Sequence, residues 1–411
     1  MQPNCRSCGT ALVVSLCDLG VTPFSNSFLR ESDLDRGEVF YPLHPRVCEQ
    51  CWLVQIPAFE PPESIFNDSY AYFSSYSASW LRHAERFCAE MIAGRSLGPT
   101  SQVVEIASND GYLLQYFQQA NIPVLGIEPS DNCAEVARAK GIRTVTRFFG
   151  RDTANDLRAE GIRADLVVAN NVLAHVPDIN DFVSGLKILL AQGGALSLEF
   201  PHLLRLIVGN QFDTVYHEHF SYVSLLALTA LLRRHALEVT DVVELATHGG
   251  SLRVIAEHAG TAPRQLSGAV EKVIADERAA GLDTVKAYAR FQEGVTQARL
   301  ELLALLVQAR LAGKRVWAYG AAAKGNTLLN YCGIRSDLVQ AVVDRSPHKQ
   351  GKFLPGVRIP VLAPTALHAA KPEYVLILPW NLQEEIMGQL AAIRDWKGQF
   401  IVPIPRPVVL P

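Results

Sequence analysis

Val103-Val-Glu-Ile-Ala-Ser-Asn-Asp-Gly-Tyr-Leu-Leu-Gln-Tyr-Phe-Gln118 decides the fold of this chain. An apolar run, a polar bend with glycine and a helical apolar spacing follow one another without a break. That order predicts a buried strand, a tight turn and an amphipathic helix, the first βα unit of a doubly wound α/β sheet. Ligands of such sheets bind at the carboxyl ends of the strands. Twenty-three residues after Glu105, a second strand, Val124-Leu-Gly-Ile127, ends at Glu128. An acid at that position suits the two hydroxyls of a ribose. The bend lacks the GxGxxG of a dinucleotide site and offers Ala107, Ser108, Asn109, Asp110 and Gly111 instead.

The pattern continues outward. Helices are expected over Asn132–Ala139, Asp152–Ala159 and Phe182–Leu190, and strands over Ile142–Val145, Asp165–Ala169 and Ala195–Phe200. Strands alternating with helices of this length predict a parallel sheet covered on both faces. Asn170, Asn171 and His175, just past a strand end, would then ring a ligand cleft. His175 also fits an ordinary surface loop.

The 411 residues suggest two or three domains, and 49% hydrophobic with 19% charged residues builds an ordinary globular core. A net charge of −3 argues against a nucleic-acid partner. No signal-peptide shape opens the chain, and no apolar run reaches membrane-spanning length, so a cytoplasmic protein with no membrane partner is expected. It is expected to act as a monomer.

Cys5-Arg-Ser-Cys8 and Cys48-Glu-Gln-Cys51 are two CxxC knuckles. Each turns two thiolates toward one cation, and the pair completes a four-thiolate zinc site. Four sulfur ligands leave no open position, so this zinc is expected to be structural. Further on, Asp68–Trp80 (DSYAYFSSYSASW) is dense in Tyr and Ser. It reads equally as an aromatic hinge and as a cleft wall, where Tyr offers a flat face and a hydroxyl.

Phe212-Asp-Thr-Val-Tyr-His-Glu-His-Phe-Ser-Tyr222 gathers His217, Glu218 and His219 between Tyr216 and Tyr222. The HEH triplet is not HExxH, and no third metal ligand is evident. A histidine beside a carboxylate is a setting for a general base, with Glu218 orienting the ring. A polar capping turn is the plainer reading. His248-Gly-Gly-Ser-Leu-Arg-Val-Ile-Ala256 reads as a turn into a strand, its glycines allowing close approach to a ligand or merely turning a hairpin. Ala269–Ala312 has the periodicity of one or two bridging helices.

From Lys314 a second α/β pattern begins. Val316–Tyr319 is followed by Gly320-Ala-Ala-Ala-Lys324-Gly325, and Leu338–Val343 ends at Asp344. Lys324 near a helix N-terminus is placed to meet a phosphate, and Lys349 and Lys352 add positive charge. Another strand, Tyr374–Leu378, leads into Pro379-Trp380-Asn381. The module fits an anion pocket or a degenerate fold kept for packing.

These motifs together resemble the bacterial C-methyltransferases that act on nucleotide-linked keto-deoxysugars. The resemblance covers essentially the whole chain: both knuckles, the ExxSNDG loop, YHEHFSY, GGSLRV and YGAxAKGNTLLNY. It implies a zinc-binding domain (1–70), an S-adenosylmethionine (SAM) domain (71–258), bridging helices (259–312) and a C-terminal Rossmann-like domain (313–411). It further implies structural zinc on Cys5, Cys8, Cys48 and Cys51. SAM would be held at Glu105, Ala107, Ser108, Asn109, Asp110, Gly111, Glu128 and Asn170. Tyr70, His175, Tyr216, Glu218 and His219 would surround the reacting sugar, with Tyr222, His248, Lys324, Lys352 and Asn381 binding the rest of the substrate. His219 is the favoured base for a carbon next to a ketone, C3 of a 4-keto sugar. Ala107 stands where methyltransferase loops commonly have glycine. Another acceptor or position, an NAD-dependent dehydrogenase on the C-terminal module, and a zinc-bearing scaffold remain as alternatives.

Overall fold

The computed structural model describes residues 3–61, 73–260 and 268–411. At its centre is a seven-stranded sheet whose first strand in the chain, Val103–Ile106, lies inside it rather than at an edge. Reading across, the order is Leu237–Leu245, Ser251–His258, Leu190–Pro201, Ala164–Asn170, Val103–Ile106, Val124–Ile127 and Thr144–Val145. All run parallel except Ser251–His258, which pairs antiparallel on both sides. That one reversal follows from the short His248-Gly-Gly connection, since a hairpin joins only antiparallel neighbours. Every residue of Val103–Ile106 is buried, as a central strand with helices on both faces requires.

The N-terminal unit is small and loop-rich. Val14–Ser15, Arg46–Val47 and Val54–Gln55 form a sheet completed by Ser221–Tyr222, which arrives from the central unit. Strand addition of this kind fixes the chain just past His219. The N-terminal core is also continuous with its neighbours. Leu16, Leu43 and Val54 share one apolar cluster with Phe212, with Val295 and Leu302 of the long helix Phe291–Leu311, and with Val342 and Leu376.

The bridging segment holds three helices rather than one or two: Gly268–Ala279, Val285–Ala289 and Phe291–Leu311. Gly281, at φ +80°, breaks the first from the second, a conformation that favours glycine. The C-terminal sheet has the order Val361–Leu362, Val342–Val343, Val316–Tyr319, Tyr374–Ile377, Gln399–Val402 and Val408–Leu410, parallel but for the last strand. Its strand order changes direction beside Val316–Tyr319, the place where doubly wound sheets open a crevice.

Candidate active site

The three units share one cleft of ≈1680 Å³. Its lining runs from the bend after Val103–Ile106, past the YHEHFSY segment, to the basic loops of the C-terminal sheet. The segment between the two knuckles forms a further wall, which accounts for the long spacing of the CxxC pairs. Leu29 bridges to Phe353, and Arg358 pairs with Glu38 at 2.9 Å, so this wall is tied to the C-terminal unit.

At the first end, Ala107, Asn109, Glu128 and Asn170 face the cleft. The Glu128 carboxylate is braced by two backbone N–H groups, Asn109 N on Oε2 and Ser130 N on Oε1, each at 2.9 Å. Ala107 has φ +54° and Asn109 φ +50°. The alanine therefore occupies a left-handed position, the reason glycine is favoured there. Glu105, Ser108, Asp110 and Gly111 are in the buried wall behind this surface. Glu105 is held well above the usual carboxylate range by burial, with Glu128 and Asp110 adding to it. Asn170 Oδ1 and both amide atoms of Asn171 are buried without a hydrogen-bond partner among the described residues, and both residues line the cleft. Unpaired buried polar atoms at strand ends fit a polar ligand such as SAM. Trp80 and Tyr112, stacked at 6.1 Å, also line this region; only the aromatic density of the 68–80 run hinted at Trp80.

In the middle of the cleft, Tyr216 Oη lies 2.8 Å from His219 Nε2, and His219 Nδ1 lies 3.2 Å from the Thr214 carbonyl. The carbonyl can only accept, so Nδ1 carries the hydrogen and Nε2 accepts from the tyrosine. His175 packs edge-on against His219, ring centroids 4.6 Å apart, with its Nδ1 2.7 Å from the Glu218 carbonyl. Burial favours the neutral form of the histidines here. His219 is held well below its ordinary range, helped by the neighbouring His175, and His175 and His248 are each brought down to about 4.

One expectation is corrected. Glu218 does not orient His219. Its side chain turns the other way and accepts from Asn26 of the N-terminal unit, while the Thr214 carbonyl sets the histidine tautomer. Neighbours in a turn point in different directions, and adjacency in the chain hid this. His217 is also separated from the cleft. It packs among Phe24, Tyr41 and Phe59, with Nε2 3.2 Å from the Pro42 carbonyl. Tyr222 faces the cleft and hydrogen-bonds the Tyr216 backbone. Tyr70 lies outside the described residues.

At the far end, Lys324, Arg345, Lys349 and Lys352 line the cleft. Lys324 enters at the start of the helix Ala323–Cys332, bonds to Asn381 Oδ1 at 2.7 Å and lies over the Trp380 ring. Asn381 is outside the cleft lining and meets it through this bond to Lys324. Trp380 Nε1 donates to Asp213 Oδ2 at 2.7 Å, which ties the C-terminal unit to the segment carrying His219. His248, at φ +56°, borders the same space.

The four knuckle sulfurs converge. Cys5 and Cys51 are 3.6 Å apart, Cys8 and Cys48 3.4 Å, and all four lie within 4.8 Å of one another. A tetrahedron with Zn–S bonds of about 2.3 Å has edges of about 3.8 Å, so the donor set fits zinc. Gln55 Nε2 donates to Cys5 Sγ at 3.1 Å, an outer hydrogen bond of the kind that steadies a metal ligand. Among the described residues this is the one cluster of metal-ligating type. Arg6, between the knuckle cysteines, bonds the Pro177 carbonyl at 2.6 Å and docks the metal centre beside His175.

Comparison with known proteins agrees with this geometry. Residues 5–66 match a zinc binding domain family, residues 80–242 a methyltransferase domain family, and residues 246–405 the C-methyltransferase C-terminal domain family. The C-methyltransferase NovU of Streptomyces niveus is 35% identical over 407 residues, 99% of this chain and 96% of the relative. Among solved structures, the magnesium protoporphyrin IX methyltransferase of Synechocystis PCC 6803 with bound SAH aligns with a TM-score of 0.35. It is 19% identical, over 44% of this chain and 83% of that one. An S-adenosylmethionine-dependent methyltransferase of Clostridium acetobutylicum aligns at 0.35 and 12% identity, over 44% and 92% of the two chains. The full-length relative and the matched domains decide the assignment: this chain belongs to the C-methyltransferase family, an SAM-dependent methyltransferase with an N-terminal zinc-binding domain.

Proposed function

We propose that the enzyme methylates a carbon next to the ketone of a nucleotide-linked 4-keto-deoxysugar, with C3 the favoured position. The observation that carries this reading is the continuity of the cleft. The buried acid Glu128, the Tyr216–His219 pair and a set of cations line one space. A substrate with a ketone-bearing ring and a diphosphate needs the last two, and a sulfonium donor needs the first.

Glu128 and Asn170 would hold the donor, and Lys324, Lys349 and Lys352 would neutralise the diphosphate. Carbon nucleophiles do not exist in a neutral sugar, so the enzyme must make one. A ketone that takes the Tyr216 hydroxyl as its hydrogen-bond donor frees the Nε2 lone pair of His219. His219 then removes the α proton, and the C–H electron pair becomes an enolate. The Tyr216 hydroxyl stabilises the oxygen, work of the kind done by an oxyanion hole, and His175, with its hydrogen on the Glu218 carbonyl, packs against the base. SAM supplies the methyl group to the enolate carbon, and the electron pair of the broken C–S bond stays on sulfur. Zinc on the four cysteines takes no part in this chemistry, but it shapes the wall of the cleft.

Deuterium wash-in tests the reading. In D₂O, without SAM, the wild-type enzyme should exchange the α proton of a nucleotide-linked 4-keto-6-deoxyhexose, followed by NMR. Methyl transfer without any exchange-competent ketone in the acceptor would contradict it.

A further inference from the structure

Glu218 is a buried carboxyl group that forms no ion pair among the described residues. The residue is 4% exposed. The phenol of Tyr222 is near enough to feel its charge and is itself held well above its ordinary range by burial, while backbone N–H groups, with that of Asn26 among them, are what favour the ionised form. An ionised carboxylate in such surroundings is costly.

Its two oxygens are used unequally. Oε1 accepts two N–H groups from a single residue, Asn26 N and Asn26 Nδ2, both at 3.2 Å. Oε2 is buried with no hydrogen-bond partner among the described residues, and Glu218 lines the cleft. An unsatisfied buried acceptor is costly, and more so when charged. A neutral acid removes both difficulties. The oxygen that receives two donors must be the carbonyl-type oxygen, so the hydrogen resides on Oε2. Burial raises this carboxyl above its ordinary range, in the same direction.

We propose that Glu218 acts as a neutral carboxylic acid whose Oε2–H donates to the substrate ketone, with Asn26 of the zinc-binding unit as the residue that fixes the hydrogen on that oxygen. This role rests on the enolate reading above and adds a second donor to the same oxygen. A donor of this kind strengthens as charge develops on its acceptor, and it does so most in a dry site. The arrangement also gives the zinc-binding unit a direct part in the chemistry. Asn26 reaches across 192 positions of the chain to hold a carboxyl group that lines the same cleft as His219.

The test compares Glu218→Gln with Glu218→Ala, using a nucleotide-linked 4-keto-6-deoxyhexose and SAM. Glutamine keeps a carbonyl for Asn26 and an N–H donor for the ketone. It should hold kcat within about tenfold of wild type, while alanine should lose about 10²–10³-fold. If glutamine falls as far as alanine, the carboxylate form is required and the proposal is overturned. Asn26→Ala should lower kcat with SAM affinity and thermal midpoint unchanged, and should have no further effect on Glu218→Ala. An equal loss in both backgrounds would overturn the assignment of Asn26. Deuterium wash-in by the wild-type enzyme separates the two layers. Absence of exchange overturns the enolate reading and this role with it, whereas exchange with an inactive glutamine variant overturns this role alone.

Discussion

Tyr216 Oη and His219 Nε2 are 2.8 Å apart, and the tyrosine hydrogen is directed at the histidine lone pair. On the proposed mechanism, in which His219 is the base, that base is capped in the free enzyme. Substrate must take over the tyrosine before the imidazole can act, which couples ketone binding to base exposure.

Replacing His219 by asparagine removes the proton acceptor and leaves the bend at Glu128 untouched. Turnover should fall about 10²–10⁴-fold, the usual contribution of a positioned base. SAM affinity by calorimetry should remain within about twofold of wild type. Wild-type turnover would remove His219 from the mechanism.

Burial also fixes the sign of the pH dependence. It disfavours imidazolium, so His219 stays neutral to a lower pH than a free histidine. The acid limb of kcat/KM reports the free enzyme's base and should fall below pH 6.5, the ordinary histidine value. A limb at or above that value, absent in His219→Asn, would show a solvated ring.

Metal removal should act at a distance. The strand Val54–Gln55 pairs with Ser221–Tyr222, and Asn26 holds Glu218, so both depend on the zinc-binding unit. Cys8→Ser, or chelation with metal content checked by mass spectrometry, should lower turnover at least tenfold. SAM binding should persist, because Glu128 and Asn109 are braced within the central unit. Full turnover by metal-free protein would contradict the coupling.

Gly320 ends the strand Val316–Tyr319 with φ +86°, and a Cβ there would lie 2.6 Å from two carbons of Pro379. Gly320→Ala combines left-handed strain with overpacking and should destabilise by about 2–4 kcal/mol. Chemical denaturation measures this directly. A loss under about 0.5 kcal/mol would mean that the Lys324 turn yields easily.

Much of this architecture is local and could be read from the chain. Val103–Ile106 and Val124–Ile127 are short, apolar and bounded by polar turns, so their existence and order were legible. The knuckles were legible because CxxC spacing is itself the geometry of a metal turn. What escaped was long-range or directional. Nothing in YHEHFSY says that Glu218 and His219 diverge, or that Asn26 meets the former. The pairing of Ser221–Tyr222 with Val54–Gln55 is likewise invisible to periodicity, since two-residue strands carry none. The breaks at Gly281 and Arg290 were hidden by apolar spacing that runs through them.

Carbon methylation beside a ketone is the central claim. Incubation of the enzyme with methyl-¹³C-SAM and a small panel of nucleotide-linked 4-keto-6-deoxyhexoses, followed by two-dimensional NMR, tests it most directly. The account expects the label in a methyl group bonded to a ring carbon adjacent to the carbonyl, at C3 in the favoured case. Label on oxygen, or no label in any ketone-bearing acceptor while another class of acceptor is methylated, would contradict it.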